Sequence, residues 1–190
     1  MARGALAVMV AAMLVVVEIG SAAKSDAPPT RTCRERIEVN RPIQFGADPQ
    51  GVFVGRVAFS GLQRYADPQE FAQMRSERDR IYRIKSAVAV RANRNVKLSI
   101  VPAQRAVAGL SYTMDRRVAA PGEGPVVLFA PCRSSQRAFS YRGKVGEATG
   151  FSGGLAVTEP MCLVLEARTR GREPVRRAIS LGMGDSCPQP

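Results

Sequence analysis

Polar and apolar side chains alternate at period two along much of the chain, and this constrains the fold more than any other sequence feature. From Arg80 to Ala92 the even positions include Tyr82, Ile84, Val88 and Val90, while the odd ones include Arg83, Lys85 and Arg91. Side chains of a strand point to opposite faces in turn, so this pattern describes a half-buried strand. Asn93-Arg94-Asn95 is turn-like, and Val96, Leu98 and Ile100 then alternate with Lys97 and Ser99, which predicts a hairpin. A second hairpin is predicted near the C-terminus. Leu163, Leu165 and Ala167 alternate with Val164, Glu166 and Arg168; a turn falls at Arg170-Gly171-Arg172; and Val175, Ile179, Leu181 and Met183 share one face.

Further strands are expected at 35–39, 52–59, 107–114, 126–129, 138–141 and 154–158, separated by Gly- and Pro-rich turns. One short helix is expected after Asp67, which can cap it, with Pro68 at its first position, Glu70 in the first turn, and Phe71, Met74 and Ile81 on one face. Nine or ten short strands and at most one short helix define an all-β chain, an antiparallel β-sandwich with immunoglobulin-like layers. The likeness to that architecture concerns layers alone, because the chain has no tryptophan.

The N-terminus reads as a targeting segment. Arg3 precedes an uninterrupted apolar run over 5–17, and Ser21-Ala22-Ala23 follow it, the layout of a signal peptide cleaved after Ala23. A spanning helix needs about 20 apolar residues, so the run is short for a membrane anchor. The expected organisation is a signal peptide at 1–23, a flexible leader at 24–32 and a single β-sandwich domain at 33–190, with no transmembrane span after cleavage. The protein is then secreted or associated with the cell envelope. Losing Arg3 and Glu18 together leaves the net charge at +12.

Cys33, Cys132, Cys162 and Cys187 are read as two disulfides of an oxidising compartment. None lies in the close pairs typical of structural zinc. Three pairings are open; the favoured one joins Cys132 to Cys162 and Cys33 to Cys187, nesting a local loop inside a clasp of the two termini.

The chain contains no histidine. Histidine-based triads, histidine metal ligands and histidine pH switches are thereby excluded. Gly150-Phe151-Ser152-Gly153-Gly154 matches the G-x-S-x-G nucleophile elbow, but that elbow requires a strand-to-helix turn and a histidine base. Here a β-like run ending at Pro160 follows, and the glycines are read as a turn or bulge. Carboxylates alone can run glycoside hydrolysis. Glu38, Asp48, Asp115, Glu123, Glu147, Glu159, Glu166 and Asp185 show no spacing that selects a pair, and solvated charge is the better reading. No catalytic residue, metal site or cofactor site is assigned.

Arginine supplies 24 of the 28 basic residues. Its planar fork binds carboxylates and phosphates bidentately, so anionic partners are the natural expectation. Clusters occur at Arg75/Arg78/Arg80/Arg83, at Arg91/Arg94 and at Arg116/Arg117, and the densest lies on the last hairpin. There Arg168, Arg170, Arg172 and Arg176 are the candidate anion-binding residues, with Arg176 on the outward face, while Arg177 falls on the inward face unless a bulge intervenes, and would there pair with a buried carboxylate. G+C-rich coding favours arginine over lysine and accounts for the same count without a function. The functional expectation is a non-enzymatic binder of anionic cell-wall polymer or a membrane surface. Nucleic acid is disfavoured by export and by the lack of a nucleic-acid-binding motif. The alternatives are a small carboxylate-dependent hydrolase and an assembly partner of an envelope protein.

The runs 82–92 and 126–132, and above all 151–162 through 176–182 with Cys187, resemble a group of exported actinobacterial proteins that has no assigned activity. The likeness covers roughly 80–187. It implies an exported β-domain with paired cysteines and no particular chemistry, and the helix-like insert at 67–80 does not belong to its pattern.

Overall fold

The computed structural model describes residues 27–38, 41–112, 120–184 and 187–190. The expected signal peptide at 1–23 lies outside the described residues, as do Asp115, Asp185 and the Arg116/Arg117 pair.

Twelve strands follow in order: β1 (Thr30–Thr32), β2 (Val52–Val54), β3 (Val57–Phe59), β4 (Tyr82–Lys85), β5 (Val88–Arg91), β6 (Val96–Ile100), β7 (Ala108–Leu110), β8 (Val126–Ala130), β9 (Ala148–Phe151), β10 (Gly154–Val157), β11 (Met161–Thr169) and β12 (Val175–Leu181). They form a five-stranded sheet ordered β1-β8-β6-β11-β12, a four-stranded sheet β2-β3-β5-β9 and a three-stranded sheet β4-β10-β7. The chain is all-β and sandwich-like, as its alternation implies. Every pairing of these strands is antiparallel except that of β1 with β8.

The two smaller sheets are continuous with each other. Lys85 opposes Gly154 and Val88 opposes Phe151, so one register runs through β4–β5 and β9–β10. The shared kink falls at Ser86 and Gly153, where the Ser86 N–H donates to Gly153 O at 3.0 Å. The Tyr112 hydroxyl donates to Ser86 O at 2.8 Å, and its ring meets Phe59 and Phe129 edge-on. Side chains from all three sheets meet in one core: Val57, Phe59 and Val90; Ile84, Leu110 and Leu155; Leu98, Ile100, Phe129, Leu163 and Leu165. Each such side chain, fully buried, contributes roughly 1.5–3 kcal/mol.

The one α-helix among the described residues, α1, spans Pro68–Ala72, and the Asp67 carboxylate accepts from the N–H groups of Gln69 at 2.6 Å and Glu70 at 3.2 Å. Phe71 is its buried anchor and stacks on Tyr82, whereas Ile81 lies beyond the helix. No helix among the described residues is long and apolar enough to cross a membrane.

Four expectations are corrected. Cys33 is joined to Cys132 and Cys162 to Cys187, so the pairing of Cys132 with Cys162 and Cys33 with Cys187 does not occur. The cause is strand placement: β1 lies parallel to β8 with Thr32 opposite Ala130, which carries Cys33 to Cys132 just past the ends of both strands. After β12 the chain folds back, with the Gly182 N–H on Tyr65 O at 2.8 Å, and Cys187 returns to Cys162. Next, residues 30–32, assigned to the leader, form β1. Third, Val88–Arg91 and Val96–Ile100 are not a hairpin, because β5 pairs with β3 and β9 while β6 pairs with β8 and β11. Asn93, at φ +71°, donates its N–H to Cys132 O and turns the chain from one sheet into the other. Finally, Arg177 is exposed on the edge strand, and the buried carboxylate Glu166 faces Arg176 in the register. Of the weaker strands, 138–141 forms no strand and is only flanked by an isolated bridge of Arg137 with Lys144, and the described residues 35–38 contribute only the bridge of Ile37 with Gly150.

Candidate anion-binding site

Three turns distant in sequence meet at one end of the sandwich. Gly55-Arg56 closes the β2–β3 hairpin, Ala92–Asn95 joins β5 to β6, and Arg170–Pro174 joins β11 to β12. The first two are tied together: the Arg91 N–H donates to Arg56 O at 3.0 Å, and Arg56 Nη2 donates to Ala92 O at 2.9 Å. Gly55 adopts φ +57°, and a Cβ on it would lie 3.4 Å from Val175 Cβ on β12 and 3.5 Å from Ala167 Cβ on β11, so the strands that carry the third turn run close alongside. Between them is a cleft of about 330 Å³ lined by Arg56, Arg91, Arg172, Glu173, Thr169 and Val175, among others.

Arg56 is the inner residue of this cluster. Burial, and after it the charges of Arg172, Arg91 and Arg94, hold its guanidinium below the ordinary arginine range. Its Nε is buried without a hydrogen-bond partner. Arg91 reaches Glu147 at 3.3 Å, with both side chains nearly half exposed, and its guanidinium lies 4.3 Å from the Phe45 ring centroid. Four guanidiniums set against the carboxylates of Glu147 and Glu173 leave two positive charges unneutralised. Coulombic repulsion of this kind is relieved by an anion that two or more forks can share.

No protein-family model matches the chain, and neither does any curated protein or solved structure.

The arginines singled out from the sequence divide between two settings. Arg168 and Arg176 both donate through Nε to the Glu166 carboxylate, which is 8% exposed, and these bonds hold Glu166 below the usual carboxylate range against the opposing effect of burial. They stand with their own counter-ion on the outward face of β11–β12. Arg170 and Arg172 are exposed on the turn, and Arg172 lines the cleft. Arg56 belongs to none of the arginine clusters of the sequence, although Gly-Arg between the apolar triplets 52–54 and 57–59 is itself a hairpin turn that presents the arginine at its tip. In the other clusters, Arg83 pairs with Asp79, and Arg75 lies 5.8 Å from the Tyr82 ring centroid.

Ser152 is exposed at the kink between β9 and β10, and no helix follows it. The glycines around it are set by close approach. A Cβ on Gly153 would lie 2.1 Å from Tyr112 Cδ1, and one on Gly154 would lie 2.1 Å from Ile84 O. Glu38 is taken up structurally: it accepts from the Phe139 and Ser140 N–H groups at 2.8 and 2.7 Å and pairs with Arg36. Asp48 accepts from Gln50 N at 2.9 Å and Gly61 N at 2.7 Å.

Proposed function

We propose that the chain is exported, belongs with the actinobacterial proteins it resembles, and uses this arginine-lined end of the sandwich to hold anionic cell-envelope material. The observation that carries the reading is the convergence of Arg56, Arg91 and Arg172 around one cleft, with the charge of Arg94 also acting on Arg56, in a protein whose net charge is +12. Two disulfides accord with an oxidising compartment, which supports export. Among the described residues the cleft is lined by one carboxylate, Glu173, where carboxylate-based hydrolysis uses two, and this favours binding over the hydrolase alternative.

The test is retention of the disulfide-bonded protein on isolated wall polymer and on anionic vesicles at two salt concentrations. Strong retention is expected at about 0.1 M salt, where screening sets in at about 10 Å, and its loss at about 1 M, where that distance is about 3 Å. Equal and negligible retention at both concentrations overturns the reading.

A further inference from the structure

The cleft also selects among anions. Resting on the anion-binding reading, we infer that it is a phosphoryl-group pocket that takes a phosphate ester in preference to a carboxylate.

The first ground is charge. Arg56, Arg91, Arg94 and Arg172 exceed Glu147 and Glu173 by two positive charges, and a phosphate monoester carries about −1.5 to −2 at neutral pH where a carboxylate carries one. The second is valence. Arg91 already has a carboxylate partner in Glu147, whereas Arg56 pairs with no carboxylate among the described residues and spends Nη2 on Ala92 O. A phosphoryl group offers three strong acceptor oxygens and can bridge donors that come from different turns; a carboxylate presents two in one plane. The Thr169 hydroxyl on the cleft wall adds a neutral donor. The third is size. At about 330 Å³ the cleft lies at the lower end of the ligand-pocket range of about 300–1,000 Å³, which suits a compact phosphate ester. Among the described residues the exposed large apolar side chains are Phe139, Val175 and Met183, and only Val175 lines the cleft. A phosphate ester in solution or on a polymer therefore fits better than a bilayer surface.

The absence of histidine makes the inference unusually easy to test. No side chain at its ordinary pKa changes charge between about pH 5 and pH 8, whereas a phosphate monoester dianion takes up one proton near pH 6. Glycerol 3-phosphate and glycerate, matched three-carbon ligands, are titrated into the protein calorimetrically. Glycerol 3-phosphate is expected to bind about tenfold tighter than glycerate near pH 7.5, the order of one further hydrogen bond to an ionised group. Its affinity should fall severalfold toward about pH 5 while that of glycerate stays level. The exposed turn variants R172Q and R94Q should each weaken it, and they leave the Arg56 hydrogen bond to Ala92 in place. Equal, pH-independent affinities for the two ligands, weakened alike by the variants, overturn the phosphoryl preference and leave anion binding standing. Failure of both ligands to bind, with wall-polymer retention intact, overturns the pocket. Capture by phosphatidic acid vesicles without any binding of glycerol 3-phosphate overturns it in favour of a membrane surface. Loss of polymer retention as well sinks the underlying reading.

Discussion

Glu166 and Arg176 face each other directly across the β11–β12 ladder, and Arg176 Nε donates to the Glu166 carboxylate at 2.8 Å. Arg168, two residues along β11, donates to the other oxygen, so one almost buried carboxylate holds two half-exposed guanidiniums. This arrangement explains why a strand face this rich in arginine does not repel itself. E166Q keeps the shape but leaves Arg168 and Arg176 without a counter-charge. Discounted for the exposure of both arginines, the expected destabilisation is about 1 kcal/mol, or roughly 2–4 °C in Tm. The same substitution raises the net charge by one, so retention on anionic polymer at low salt should increase. Stability and binding thus move in opposite directions, and urea titration alongside a retention assay checks both.

The two disulfides differ in what they constrain. Cys33–Cys132 closes a loop of 99 residues and Cys162–Cys187 one of 25. On chain entropy alone, loss of the first should cost about 4.7 kcal/mol and loss of the second about 3.5. The Cys33→Ser/Cys132→Ser variant should therefore have the lower denaturation midpoint of the two double variants. It should also expose β1 to proteolysis, since β1 is a three-residue edge strand held by β8 and the adjoining bridge. Non-reducing peptide mapping checks the pairing itself, and a Cys132–Cys162 peptide would refute it.

Around Ser152 the glycines, not the hydroxyl, should control behaviour. Gly153→Ala places a methyl group 2.1 Å from the Tyr112 ring and 2.6 Å from Ser111 O, in a region where Tyr112 is fully buried. An overpacking cost of about 1–3 kcal/mol is expected. Ser152→Ala, on an exposed side chain, should change stability by less than about 0.5 kcal/mol. Comparing the two melting curves separates a packing role for this segment from a role for the serine.

The sequence shows most clearly what is local. The β11–β12 hairpin is legible because its alternation and its turn are contiguous, and α1 because Asp67 and Pro68 mark its start within one turn. The crossing from β5 to β6 is not, since Asn93-Arg94-Asn95 reads the same whether the chain returns within its sheet or passes to the next. Disulfide partners escape for a related reason: the parallel pairing of β1 with β8 joins segments about a hundred residues apart, and nothing local to either encodes the other. The arginine cleft combines both limits. Arg91, Arg94 and Arg172 each stand out in their own stretch, but it takes the hydrogen bonds of Arg56 with Arg91 and Ala92, and the approach of Gly55 to Val175, to bring their turns together around Arg56.

The pH dependence of stability follows from the same residues. Burial raises the Glu38 pKa, but the Ser140 N–H, Arg36 and the Phe139 N–H outweigh it and hold the carboxyl below its ordinary value. Glu166 is lowered by Arg168 and Arg176. A carboxyl whose folded-state pKa is depressed stabilises the fold fully above its unfolded value of about 4.3 and loses that contribution as pH falls through the folded value. With no histidine to titrate, Tm should be nearly level between about pH 5 and pH 8 and fall steeply below about pH 4. E166Q should flatten part of the acid limb, because the substituted amide has no proton to take up. A Tm series across pH for the wild type and E166Q measures this directly, and a transition between pH 5 and 8 in either protein would contradict it.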